Sequence, residues 1–65
     1  MMTFNIIDYG HGLVLVDVWG QDTNDWYTVL RTRYIFWNRT AIINDIKKKI
    51  RARFGIKRAI WNLYI

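Results

Sequence analysis

NRTAIINDIKKKIRARFG, residues 38–55, is the stretch that decides the fold of this chain. Asn38 is a favourable N-cap, with Thr40 as the alternative, and Gly55 stands where a left-handed C-cap belongs. Between the caps, apolar residues recur at three- and four-residue spacing and form a single stripe. The members of this stripe are Ile42, Ile43, Ile46, Ile50 and Phe54. The pattern predicts one amphipathic helix that packs against another layer.

The residues before the helix have the spacing of a β-meander. Residues 3–8 and 13–19 are β-branched or aromatic runs. The four residues between them, Tyr-Gly-His-Gly, contain a Gly-His pair that suits the first two positions of a type II′ turn. A loop of two or of four residues at this position pairs Ile6 with Leu15.

A third strand follows a polar loop at residues 20–25. Trp19 and Trp26 flank this loop, so we expect them to face each other as a cross-strand aromatic pair. The predicted strand covers residues 26–37 and would extend over nearly 40 Å at about 3.3 Å per residue. Because a domain of this size does not need so long a strand, we expect a bend or bulge within it.

This register sorts the sheet into two faces. The predicted core face is large and apolar, and its members are Phe4, Ile6, Leu13, Leu15, Trp19, Trp26, Leu30, Tyr34 and Phe36. The other face mixes β-branched, aromatic and basic residues: Thr3, Asn5, Ile7, Val14, Val16, Val18, Tyr27, Val29, Arg31, Arg33, Ile35 and Trp37. We expect Ile46 and Ile50 of the helix to dock on Leu15 and the tryptophans of the core face.

The last ten residues, 56–65, fit either a strand or a helix. Their apolar positions agree with both periods, but enrichment in aromatic and β-branched residues favours a strand. The predicted architecture is therefore a single small α+β domain over residues 1–65. It contains a three-stranded antiparallel meander, one helix on one sheet face and a C-terminal strand, in the order β-β-β-α-β.

Charge is distributed unevenly along the chain. All ten Lys and Arg residues lie at or after Arg31, whereas four of the five acidic residues precede it. The first thirty residues thus carry a formal charge of −4, and the remaining thirty-five, with ten basic residues and one acidic, carry +9. This polarity favours an anionic partner.

Composition argues against catalysis. The chain has no Cys, Ser, Glu or Pro and a single histidine, His11, which lies between two glycines of the first hairpin. Without a nucleophile or a cluster of metal ligands, neither acyl transfer nor metal chemistry has a template. We therefore expect a protein that is not an enzyme and that uses no cofactor, metal or small-molecule substrate.

The longest apolar runs are far shorter than the roughly 20 residues of a membrane span. The start of the sequence also lacks the basic region and the apolar core of a signal peptide. These two features predict an intracellular, cytoplasmic protein, in the host cytoplasm if the source is viral, with no membrane partner.

Basic and aromatic residues share one predicted face of the sheet. This candidate nucleic-acid-binding set consists of Tyr27, Arg31, Arg33 and Trp37 on the sheet, Lys47, Lys48 and Arg51 on the helix, and Arg58 if the tail is a strand. Arginine forks match phosphate oxygens, and Tyr and Trp rings stack on unpaired bases. Because the helix covers the opposite face, its charges and those of the sheet should lie on opposite sides. A solvated basic surface without a partner is the competing interpretation.

Three functional hypotheses follow from these features. The first is a small non-enzymatic module that binds DNA or RNA through the basic and aromatic sheet face. The second is an inhibitor or adaptor, of the kind encoded by phages and mobile elements, that occupies an acidic surface of a host protein. The third is a structural protein whose exposed sheet face pairs in a homodimer.

Overall fold

Four strands and one helix follow one another in the predicted order, β-β-β-α-β. A computed structural model describes all of residues 1–65. The elements are β1 (Thr3–Asp8), β2 (Leu13–Gly20), β3 (Asp25–Arg33), α1 (Arg39–Phe54) and β4 (Ile60–Tyr64). The C-terminal tail is thus a strand, as its composition favours.

The four strands form one sheet in the order β3-β2-β1-β4. The first three are antiparallel neighbours, and β4 pairs in parallel with β1 at the edge opposite to β3. Strands β1, β3 and β4 therefore run in the same direction and end at one end of the sheet, where the β1–β2 turn lies. We call this the hairpin end. Helix α1 starts there and returns the chain to the opposite end, where β4 begins.

The β1–β2 turn is a three-residue loop. The Tyr9 amide donates to the Leu13 carbonyl at 2.9 Å, which leaves Gly10, His11 and Gly12 outside the ladder. All three have positive φ, at 91°, 53° and 77° respectively. A type II′ turn needs a positive φ at only its first central residue, so the predicted turn is wrong.

The odd loop length shifts the predicted register by one residue. Ile6 pairs with Val16 instead of Leu15, and a slip of one residue moves every side chain of β2 to the other face. The core consists of Phe4, Ile6, Val14, Val16, Val18, Tyr34, Ile46 and Ile50. The predicted core placement of Leu13, Leu15, Trp19, Trp26 and Phe36 is wrong, whereas that of Phe4, Ile6 and Tyr34 is confirmed.

Helix α1 has the caps that its sequence predicts. The Asn38 side chain accepts from the Ala41 amide at 2.8 Å, and Gly55 adopts a left-handed φ of 62° while its N–H donates to the Arg51 carbonyl. Ile46 and Ile50 are fully buried. They pack on the valine face of β2 and on β1, so the expected docking on the tryptophans is wrong.

Strand β3 contains the expected bulge and is shorter than predicted. Leu30 pairs with Val16 and Thr28 pairs with Asp17, so Val29 has no partner opposite it. The guanidinium of Arg53, at the end of α1, donates to the Val29 carbonyl. The extra residue reverses the alternation of side chains along the strand. Two odd-numbered residues, one before and one after Val29, therefore lie on opposite faces of the sheet, and so do two even-numbered residues.

Tyr34 connects the end of β3 to the helix and to the first turn. Its amide donates to the Gly12 carbonyl at 2.8 Å, and its hydroxyl donates to the Asp45 carboxylate at 2.7 Å. Asp45 also pairs with Lys49 at 2.9 Å, in the favourable i,i+4 order. These contacts join three elements at the hairpin end.

The Tyr34–Asp45 contact makes stability depend on pH at both extremes. Lys49 and then the Tyr34 hydroxyl hold the pKa of Asp45 below its usual value, so stability should fall as the pH drops below about 4. Burial and then Asp45 raise the pKa of Tyr34 above its usual value near 10, so stability should also fall as the pH rises above about 10. Urea denaturation across this range should show both losses. Tyr34→Phe should reduce both losses, and an unchanged profile would contradict this assignment.

Candidate nucleic-acid interface

The sheet face that α1 does not cover is the candidate site. Register and side-chain alternation define its members. We call this surface the open face, and it consists of Thr3, Asn5 and Ile7 on β1, Leu13, Leu15, Asp17 and Trp19 on β2, Trp26, Thr28, Arg31 and Arg33 on β3, and Ile60, Asn62 and Tyr64 on β4. The open face therefore combines apolar, amide and basic side chains on all four strands.

A row of polar residues crosses the middle of the open face. Asn62 donates to the Asn5 side chain at 3.0 Å, and Thr28 donates to the Asp17 carboxylate at 2.7 Å. Asn5 and Asp17 are direct partners across β1 and β2, so the row runs from edge to edge. Asp17 is the one acidic member of the face, and its carboxylate already accepts the Thr28 hydroxyl.

Aromatic residues lie on both sides of this polar row. Trp19 and Trp26 form the expected cross-strand pair, with ring centroids 5.3 Å apart in an edge-to-face arrangement that contributes roughly 0.5 to 1.5 kcal/mol beyond its buried area. Trp26 is 36% exposed. Tyr64, beyond the polar row on β4, is 58% exposed. Both rings thus have accessible surface on which a planar group could stack.

Three of the predicted basic residues border these aromatics. Arg31 and Arg33 are exposed on β3 toward the hairpin end, where the Arg33 guanidinium donates to the His11 carbonyl at 3.2 Å. Arg58 is exposed near the opposite end of the sheet. There it lines a cleft of about 400 Å³ together with Thr3 and Trp19 of the open face. Cations therefore flank the aromatic surface at both ends.

Two predicted members of the site lie elsewhere, so the expectation that they share a face with the arginines is wrong. Tyr27 pairs with Val18 on the helix side of the sheet, because the Val29 bulge separates its phase from that of Arg31. Trp37 lies beyond the end of β3, in the connection to α1, with its ring edge against Tyr34 at 5.1 Å between centroids. The aromatic members of the open face are instead Trp19, Trp26 and Tyr64.

The helix cations form a separate surface, as the geometry of one helix on one sheet face requires. Lys47 and Arg51 lie over the ring of Trp61, with their cationic groups 5.7 and 5.8 Å from its centroid. Trp61 in turn stacks on Phe4 at 5.0 Å. Lys48 is exposed on the outer side of α1. These side chains thus belong to the helix and β4, away from Arg31 and Arg33.

One signal in the sequence could have identified the open face. Leu13, Leu15, Asp17 and Trp19 share one phase of β2, and the buried phase consists of the three valines Val14, Val16 and Val18. An aspartate is almost never fully buried unless it is paired, so the phase that contains Asp17 is the one expected to face outward.

His11 and the acidic side chains are the residues that could bind a metal ion. Asp8 accepts from the Gly10 amide at 2.7 Å within the turn and does not pair with His11. No group of three or more His or acidic side chains is arranged to hold a metal ion. Helix α1 is neither long nor apolar enough to span a bilayer.

Comparison of the chain with protein-family models, curated proteins and solved structures finds no match.

Proposed function

We propose that this protein is a small non-enzymatic nucleic-acid-binding module that holds a single strand on its open face. The observation that carries the proposal is the combination of accessible rings, Trp26 and Tyr64, with exposed arginines on an uncovered sheet. Aromatic side chains on a flat sheet stack with unpaired bases, and arginines bind the phosphates between them. The amide side chains of Asn5 and Asn62 add groups that can hydrogen-bond to base edges.

A single strand suits this surface better than a duplex. In a duplex the base faces are stacked on each other, so rings such as Trp26 could reach only base edges and sugars. A single strand exposes the faces themselves, and each base that stacks on an aromatic ring contributes about 1 to 3 kcal/mol. The proposal therefore expects tighter binding to single-stranded than to double-stranded oligonucleotides.

Salt dependence should reveal the phosphate contacts. Three arginine contacts at about 0.7 per phosphate for single strands predict a log–log slope near 2, or a roughly twentyfold loss of affinity between 50 and 200 mM salt. We expect Arg31→Ala and Arg33→Ala each to reduce the slope by about 0.7. Fluorescence anisotropy of a labelled oligonucleotide measures this slope directly.

Two matched controls separate the open face from the rest of the molecule. Lys48→Ala removes the same charge from the outer side of α1 and should leave the slope nearly unchanged. Trp26→Ala should weaken binding by about 1 to 3 kcal/mol, whereas Tyr27→Ala, an adjacent substitution on the other side of the sheet, should have little effect. A folded protein that binds no oligonucleotide at 50 mM salt would rule out the proposal.

The second candidate function is an inhibitor or adaptor that binds an acidic protein. The observation that favours it is the helix surface, where Lys47 and Arg51 lie over Trp61 beside exposed Lys48. Aromatic and arginine residues are enriched at protein interfaces. In this case Lys48→Ala would weaken binding more than Arg31→Ala, and added salt would slow association while leaving dissociation largely intact.

A further inference from the structure

Three consecutive large apolar residues protrude at the hairpin end. Ile35, Phe36 and Trp37 are 62%, 104% and 50% exposed, respectively. We call these three residues the tip. Single exposed apolar side chains are ordinary on protein surfaces, but a contiguous group of this size marks a contact with another molecule or with a membrane. The open face and the helix surface do not account for the tip, since it belongs to neither.

The chain on each side of the tip is held in place. On one side, Tyr34 is fixed through its amide to Gly12 and through its hydroxyl to Asp45. On the other side, Asn38 caps α1, and the Trp37 ring contacts that of Tyr34. The exposure of the tip therefore does not result from a loose connection between β3 and α1.

The backbone within the tip is strained at its most exposed residue, Phe36. Phe36 has a φ of 63°, a left-handed conformation that costs a non-glycine residue roughly 1 to 2 kcal/mol. A phenylalanine gains nothing from water that would offset this cost. Strained residues of this kind persist where the surrounding structure determines them, and they often mark contact sites.

Cations border the tip, and most of the acidic residues lie elsewhere. Arg33 precedes it and donates to the His11 carbonyl, and Arg39 follows it and donates to the Ile65 backbone oxygen. Each guanidinium has further N–H groups available for a second partner. Asp22, in the β2–β3 loop, and Asp25, the first residue of β3, lie at the other end of the sheet, whereas Asp8 and Asp45 lie at the hairpin end. Asp45 is paired with Lys49, so Asp8 is the acidic side chain that opposes Arg33 and Arg39 at this end. An anionic surface would therefore meet a net positive charge around the tip.

We propose that the tip inserts into the interfacial layer of an anionic membrane, with Arg33 and Arg39 at the level of the lipid phosphates. Tryptophan and arginine are typical residues at this depth, and exposed apolar side chains beside basic ones bind anionic bilayers peripherally. The tip is convex, and neither cleft of the molecule includes any of its residues. A bilayer accommodates such a shape without a matching cavity, whereas a protein partner would need one.

This proposal concerns contact with a membrane surface, not a span across it. The expectation from the sequence that no membrane is involved rests on the length of apolar runs, which concerns spanning segments. Tyr9 and Tyr64 are exposed near the same end of the sheet, where β1 and β4 finish, and their rings would lie close to the headgroups. Nucleic-acid binding through the open face is a separate proposal that does not depend on Ile35, Phe36 or Trp37, although Arg33 and Tyr64 belong to the open face and also lie beside the tip.

Co-sedimentation with lipid vesicles tests the proposal. We expect the protein to bind vesicles of phosphatidylcholine with about 30% phosphatidylglycerol and to bind pure phosphatidylcholine at least about tenfold more weakly. Phe36→Asp places a charge at the most exposed position of the tip and should lower the partition coefficient for anionic vesicles by about tenfold or more. Circular dichroism would show that the variant remains folded.

Tyr27→Asp is the matched control, because it places the same charge on an exposed aromatic position away from the hairpin end. It should leave vesicle binding within about twofold of the unsubstituted protein. Equal losses for the two variants would show that net charge alone controls binding and would overturn the insertion of the tip. Absence of binding to either vesicle would also overturn the proposal and would leave a protein pocket as the partner of the tip. Neither result would bear on oligonucleotide affinity, which Phe36→Asp should not change.

Discussion

Gly12→Ala is expected to lower the free energy of unfolding by at least about 3 kcal/mol, a large part of what so small a domain has. Gly12 has a φ of 77°, and its carbonyl accepts the Tyr34 amide. A Cβ atom at this position would lie far inside van der Waals contact of the Tyr34 backbone. Because β3 and the Tyr34–Asp45 contact both depend on this approach, the added methyl group would separate the turn from the helix connection. Chemical denaturation measures the loss.

Gly10→Ala provides the control for this prediction. Gly10 lies in the same turn with a φ of 91°, but a Cβ atom there would meet nothing within 4 Å. Its replacement should cost only the backbone strain, about 1 to 2 kcal/mol. Similar losses for the two variants would show that backbone conformation, and not contact with Tyr34, makes Gly12 necessary.

Ile46→Ala is expected to cost about 2 to 5 kcal/mol, because it leaves a cavity between the helix and the sheet. Ile46 is fully buried in the core that Val16 and Ile6 share. Ile35→Ala removes the same atoms from an exposed side chain and should change stability by less than about 0.5 kcal/mol. Thermal or urea denaturation of both variants tests the placement of the core, and a loss below about 1 kcal/mol for Ile46→Ala would contradict it.

The helix is predictable from sequence because its determinants are local. Asn38 and Gly55 mark its ends through hydrogen bonds within a few residues, and the isoleucine stripe identifies its buried side. The order of elements follows from similar short-range patterns. None of these features depends on how distant segments pair.

The sheet register is not predictable in the same way, because it depends on the backbone conformation of a single turn. The three-residue loop has a positive φ at Gly10, His11 and Gly12, and no local preference of histidine requires that conformation. One residue of difference moves Val16 into the core and Leu15 out of it. Among the side chains themselves, Asp17 carries the one clear indication of the correct face.

The candidate site depends on the same two irregularities. The turn brings Trp19 to the open face, and the bulge at Val29 separates Tyr27 from Arg31 while it brings Trp26 to the side of the arginines. Simple alternation of side chains along the sequence correctly places Arg31 and Arg33 on one face, because both follow the bulge. It assigns the wrong aromatic partners because those precede the bulge or, like Trp37, lie beyond the strand.

The most direct test of the open face as the ligand surface is a ¹H–¹⁵N NMR titration with a short single-stranded oligonucleotide. The account predicts that the largest shifts occur at the indole N–H of Trp26 and at the amides of Arg31, Arg33 and Asn62, with Lys48 and its neighbours on α1 nearly unchanged. Shifts confined to the outer side of α1 around Lys47, Lys48 and Arg51, or a spectrum that the oligonucleotide does not alter, would contradict it.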